Sequence, residues 1–203
     1  MTNSSQQVEF FFDFGSPTTY LAFHVLPRIA ERAHANIVWR PVLLGGVFKL
    51  SNNSPPALHP LKARWMMQDL ARWADFWQVP FRPGPIPMST LQLVRCATYL
   101  LGQPGFMPYC TAVFNAMWCK GADFNVPATL SRLLADLGFD PVELLAQTNS
   151  PQIKERLTRT TQELVERGGF GAPTMFVGDE MHFGQDRLVF IEKALSRVSE
   201  SQK

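Results

Sequence analysis

Paired cysteines are missing from this chain. Cys96, Cys110 and Cys119 are the only three among 203 residues. They form neither a C-x-x-C motif nor an even framework, which excludes a local dithiol centre and a disulfide scaffold and leaves them as reduced core thiols. A surplus of one charge is also missing: 19 Lys and Arg face 17 Asp and Glu, for a net +2. Without the basic stripe that phosphate backbones require, no nucleic acid partner is expected. No apolar run approaches the roughly 20 residues of a membrane span, so no membrane partner is expected either. The segment Met1–Gln7 lacks the basic and apolar regions of a secretory signal and points to the cytoplasm. His24, His34, His59 and His182 show no spacing that suggests a metal site or a triad, and no metal is expected.

What the chain does have is 46% hydrophobic residues, enough for one good core and a second subdomain. Its organising stretch runs from Val8 to Ala22. Phe10 to Phe14 has the composition of a buried strand, and Gly15 stops it. Ser16 can then accept from a free backbone N–H at a helix start, with Pro17 at the first helical position, where a missing N–H costs nothing. A serine thus stands at a helix tip whose dipole favours an anion or a thiolate.

The helix from Ser16 ends near His34, and Ile37–Val42 forms a second strand, parallel to the first in a βαβ unit. From Leu43 to Pro60, Gly45-Gly46 and Asn52-Asn53-Ser54-Pro55-Pro56 predict a long loop of the kind kept for binding. Helical periodicity begins at Leu61, with Leu61, Trp65, Leu70, Trp73, Ala74 and Trp77 inward, and Pro80–Pro87 ends it. Ser89 caps the next helix, with Leu93, Val94, Ala97 and Leu101 inward. Met107–Trp118 follows as another buried helix. Pro127, Asp140-Pro141 and Ser150-Pro151 start three more, and Gly168-Gly169 ends the last. Strand character returns in Thr174–Val177 and Met181–Phe183 around Gly178-Asp179, before a final helix from Asp186 with Leu188, Ile191, Leu195 and Val198 inward. The order βαβ, helical block, ββα predicts an α/β thioredoxin-like fold with an inserted all-helical domain. The expected boundaries are 1–60 with 170–203 for the thioredoxin-like part and 61–169 for the insertion.

Phe12-Asp13-Phe14-Gly15-Ser16-Pro17, the Asn53–Lys62 loop, Val113–Trp118, Phe170–Val177 and Phe183–Leu188 occur in a specific order and spacing. In these motifs the chain resembles the 2-hydroxychromene-2-carboxylate isomerases and the related kappa-class glutathione transferases, from about Val8 to Val198. In the wider DsbA-like fold the helix tip carries an attacking cysteine. Here Ser16 stands there and Thr19 takes the place of the second cysteine, so disulfide exchange at this site is excluded. A serine hydroxyl can instead donate to a sulfur brought in by a ligand, and the resemblance implies that this ligand is glutathione.

The resemblance further implies a cis-proline site at Ala172-Pro173 that holds the cysteinyl part of glutathione. It places Gln185 and Asp186 at the γ-glutamyl end, Asn53 and Lys62 near the glycine end, and Lys49 against a substrate carboxylate. The implied activity is a glutathione-dependent cis-trans isomerase of aromatic degradation. It would convert 2-hydroxychromene-2-carboxylate, or a close analogue, to trans-o-hydroxybenzylidenepyruvate by reversible thiolate addition. Two alternatives stay open: a kappa-class-like glutathione transferase or peroxidase, and a DsbA-like peptide-binding protein without redox activity. A homodimer is implied by analogy. In Arg82–Pro87 the chain departs from the isomerases, lacking the aromatic hydroxyl that some of them present to the substrate ring, which implies a more apolar pocket.

Overall fold

The computed structural model describes residues 6–86 and 89–200, with side chains through 197. Met1–Ser5, Pro87 and the Val198 side chain, each part of an expectation above, lie outside the described residues. A four-stranded sheet has the order β2-β1-β3-β4, built from β1 (Gln7–Phe12), β2 (Asn36–Pro41), β3 (Thr174–Val177) and β4 (Glu180–Phe183). β1 runs parallel to β2 and antiparallel to β3, and β3 and β4 form the expected hairpin. The fold is the expected DsbA-like thioredoxin fold.

β1 begins and ends earlier than its phenylalanines suggest. Phe14 is fully buried but lies past the strand, because its carbonyl accepts the Trp118 indole N–H at 2.8 Å rather than a ladder N–H. Alternation along β1 serves two cores. Val8, Phe10 and Phe12 enter the main one, and Phe11 enters a smaller one with Val42, Val47, Leu164 and Phe176. A strand apolar on both faces suits a sheet covered on both sides. In the main core the Phe12 ring lies against Phe14, Phe106 and Phe114.

α1 (Pro17–Arg32) starts at Ser16 as expected. The expected loop from Leu43 contains a helix, α2 (Leu44–Leu50), and a short 3-10 helix at Pro56–Leu58. Gly45-Gly46 has poor helix propensity, and α2 exists because tertiary partners supply what propensity does not. The Leu44 N–H donates to Asp13 at 2.7 Å, the Leu43 N–H donates to Thr161 at 3.1 Å, and Val47 is buried.

α3 (Pro60–Trp77) corrects another expectation. Only Leu70 and Ala74 of its six expected inward residues are buried, and Leu61 (66% exposed) and Trp65 (61%) face outward, because the first turns of α3 extend past the core. Thr90 holds the N-cap position of α4 (Leu91–Leu100) without a side-chain cap bond, the expected Ser89 hydroxyl accepts the Leu91 N–H at 3.3 Å, and Leu100 takes the buried place expected of Leu101. α5 (Phe106–Trp118), α6 (Pro127–Asp136), α7 (Pro141–Gln147) and α8 (Pro151–Glu166) follow. Asp140 accepts from the Val142 and Glu143 N–H groups as a cap should, whereas the Ser150 side chain makes no cap bond. α8 packs on α2 and β2, where Glu163 pairs with Arg40, and Arg167 just past α8 pairs with Glu9 on β1. After β4, a 3-10 turn at Gln185–Arg187 leads into α9 (Leu188–Glu200). Cys96 and Cys110 are buried thiols as expected, and Cys119 is only partly buried.

Candidate active site

The site is built on the turn between β1 and α1. Ser16 has an extended backbone, with φ −100° and ψ 116°, and its hydroxyl accepts the Thr19 N–H at 3.2 Å. This is the N-cap bond that a serine before a proline predicts. The same hydroxyl donates to the carbonyl of Ala172 at 2.8 Å. Ala172-Pro173 is a cis peptide bond, and it sits directly before β3.

A second hydroxyl converges on this point. Thr18 Oγ1 lies 2.7 Å from Ser16 Oγ and 3.3 Å from the Ala172 carbonyl oxygen. Two hydroxyl donors therefore share one acceptor at a helix N-terminus. If Thr18 takes the Ala172 carbonyl, the Ser16 proton is released toward another acceptor without leaving any buried group unpaired. The arrangement fits a ligand sulfur with anionic character, which the helix dipole and a freed hydroxyl would both stabilise.

Asp13, to which the sequence assigns no role beyond its place in a motif, is the buried anchor of this turn. Its Oδ1 accepts the Gly15 N–H at 2.8 Å, and its Oδ2 accepts the Leu44 N–H at 2.7 Å and the Thr90 hydroxyl at 2.9 Å. One carboxyl thus joins the turn to the starts of α2 and α4. Burial pushes its pKa above the ordinary 3.8, outweighing the opposing pull of Leu44, Gly15 and Thr90. The available signal was an acid set between phenylalanines in Phe12-Asp13-Phe14, where an unpartnered carboxyl is costly to bury. Thr18 was missed because a hydroxyl inside a first helical turn carries no distinctive pattern.

The remaining expected residues divide into two groups. Asn53 donates from Nδ2 to the Phe170 carbonyl at 2.9 Å, tying the segment after α2 to the chain just before Ala172. Gln185 is buried next to Gly184, whose N–H donates to the Pro173 carbonyl at 3.0 Å. Asp186 pairs with its neighbour Arg187 at 2.8 Å. Ser16, Ala172, Pro173, Asn53, Gln185 and Asp186 are thus linked directly or through residues one or two positions away in the chain. Lys49 on α2 and Lys62 on α3 are exposed, and no hydrogen bond or ion pair ties them to this cluster among the described residues. No group of His, Cys, Asp and Glu suited to a metal occurs among the described residues, and no described helix is long and apolar enough to cross a membrane.

A family model of the DsbA-like thioredoxin domain matches residues 7–196, and the chain belongs to that family. It is 32% identical over 193 residues to a 2-hydroxychromene-2-carboxylate isomerase of Sphingobium xenophagum, covering 94% of this chain and 98% of that protein. Within the DsbA-like proteins it therefore belongs with the 2-hydroxychromene-2-carboxylate isomerase family. A solved structure of a 2-hydroxychromene-2-carboxylate isomerase superposes with a TM-score of 0.86 at 29% identity, covering 97% of both chains. The chain is also 28% identical over 203 residues to human glutathione S-transferase kappa 1, covering 93% of this chain and 90% of that protein.

Proposed function

We propose that the protein is a glutathione-dependent isomerase of 2-hydroxychromene-2-carboxylate or a close analogue, acting in aromatic degradation in the cytoplasm as a homodimer. The observation that carries this reading is the Ser16 hydroxyl at the α1 N-terminus, where a cysteine would serve disulfide exchange, paired with the Ala172 carbonyl at 2.8 Å. The isomerase relatives support the reaction and the kappa-class relative supports the thiol cofactor.

Glutathione supplies a nucleophilic sulfur whose reversible addition lets a carbon–carbon double bond rotate. Ser16 donates a hydrogen bond to that sulfur while Thr18 holds the Ala172 carbonyl. The α1 dipole favours the thiolate over the thiol. Ala172 offers backbone groups to the cysteinyl part in the manner of an added strand. Gln185 and the Asp186 carboxylate receive the γ-glutamyl end, and Asn53 and Lys62 the glycine end. Lys49 attracts the substrate carboxylate and favours the charge that develops on the substrate oxygen.

The kappa-class relative keeps a second reading in view, a glutathione transferase on the same site. An assay that follows the chromene and total thiol together separates them. The isomerase reading predicts conversion that requires glutathione while the thiol concentration stays constant. Loss of one thiol per product would support the transferase, and conversion without glutathione would overturn both.

A further inference from the structure

A second recess lies between three helices, and none of the residues around Ser16 lines it. It has a volume of about 220 Å³, with α2, α4 and α8 as its walls. Leu43, Leu50, Leu91 and Leu157 make its apolar surface, and Thr161 contributes a hydroxyl that accepts the Leu43 N–H. Two cations, Arg95 and Lys154, also line it, and none of its lining residues is acidic.

Neither cation takes part in an ion pair among the described residues. Arg95 donates from Nη1 to the neutral amide oxygen of Asn149 at 3.2 Å, and its buried Nε has no hydrogen-bond partner among the described residues. Lys154 is exposed and takes part in no ion pair among the described residues. Two cations without an acidic partner favour an anion in the recess, and a guanidinium suits a carboxylate in particular. The leucine surface beside it favours an apolar body, and the volume limits that body to a molecule smaller than the drug-sized ligands of larger pockets.

We propose that the α2–α4–α8 recess is a second binding site, separate from the Ser16 turn, for a small aromatic monocarboxylate. Arg95 holds the carboxylate, Lys154 adds attraction from the rim, and the four leucines take the ring. This inference is independent of the isomerase reading, and its test involves neither glutathione nor turnover.

The test is an NMR titration of the full chain with benzoate as the probe and benzamide as its uncharged counterpart. Benzoate should produce saturable amide shifts at Leu43 and Thr161, and benzamide should bind at least about tenfold more weakly, as loss of a charge-assisted hydrogen bond predicts. R95M should weaken benzoate about tenfold and K154M about threefold by the same reasoning for a half-buried and an exposed cation. T158W, at an exposed rim position, should fill the recess and abolish binding. K154M and T158W alter exposed positions on α8, so they keep the test intact if R95M fails to fold. Equal binding of benzoate and benzamide, unchanged binding in K154M and T158W, shifts confined to Ser16–Tyr20, or no saturation would each overturn the proposal.

Discussion

The Ser16 hydroxyl donates to the Ala172 carbonyl at 2.8 Å, joining residues 156 positions apart in the chain. It also caps α1 by accepting the Thr19 N–H. Replacing it with alanine therefore has two separable effects. Ser16→Ala should lower stability by about 1 kcal/mol, the usual loss of a helix cap, and should reduce glutathione-dependent isomerisation by about 10²–10³-fold, the typical effect of deleting one preorganised donor. Chemical denaturation measures the first and steady-state kinetics the second. Wild-type rates in a destabilised protein would reduce Ser16 to a cap.

Ser16→Cys gives the helix tip a thiol of its own. The N-terminal dipole should lower its pKa below the ordinary value of about 8.5, so it should form a mixed disulfide with oxidised glutathione. With Thr19 still in place, no resolving cysteine is present at the tip to release it. Intact-mass spectrometry should find one glutathione on the variant and none on the wild type. An unmodified variant would argue against a sulfur-binding tip.

Asp13 is fully buried and its pKa is raised by desolvation. A carboxyl that ionises less readily in the folded than in the unfolded state stabilises the fold most at low pH. That contribution is lost as pH rises from the ordinary value of 3.8 through the folded pKa. Asp13→Asn should remove this component of the pH dependence. It should also cost about 1–3 kcal/mol, because an amide cannot accept from Gly15, Leu44 and Thr90 together. Urea denaturation of both proteins across the acidic range reads the slope, and identical slopes would show that Asp13 ionises normally.

His24 carries the opposite linkage. Burial lowers its pKa below 6.5, with Asn115 pulling it back up and Arg28 pushing it further down. The unfolded chain then binds the proton more readily, so stability should fall as pH drops below 6.5 toward the folded pKa. His24→Gln should flatten part of that fall, and His182, also lowered by burial, should retain the rest. Stability measured from neutral to mildly acidic pH checks the difference.

The parts of the fold written in local chemistry were legible. Pro17, Pro127, Pro141 and Pro151 stand at the first positions of their helices, as their sequence places predict. Two antiparallel strands around Gly178-Asp179 were equally plain. Helix α2 was hidden, because its first amides are satisfied by Asp13 and Thr161, partners 31 and 118 residues away. The outward turn of Leu61 and Trp65 was hidden for a related reason. Periodicity identifies a helix and its apolar stripe, but how far that helix extends beyond its neighbours depends on the rest of the molecule. At the site, Ser16 could be read from turn chemistry and Ala172-Pro173 from the family resemblance. Thr18 and Asp13 emerge only when elements distant in sequence meet around them.

The central claim is that Ser16 holds the sulfur of glutathione, and a crystal structure of the glutathione complex tests it most directly. The account predicts the cysteinyl sulfur within hydrogen-bond distance of Ser16 Oγ, with Thr18 on the Ala172 carbonyl and the γ-glutamyl end against Gln185 and Asp186. Glutathione bound with its sulfur away from the α1 tip, or no bound glutathione at millimolar concentration with the Ser16–Ala172 bond intact, would contradict it.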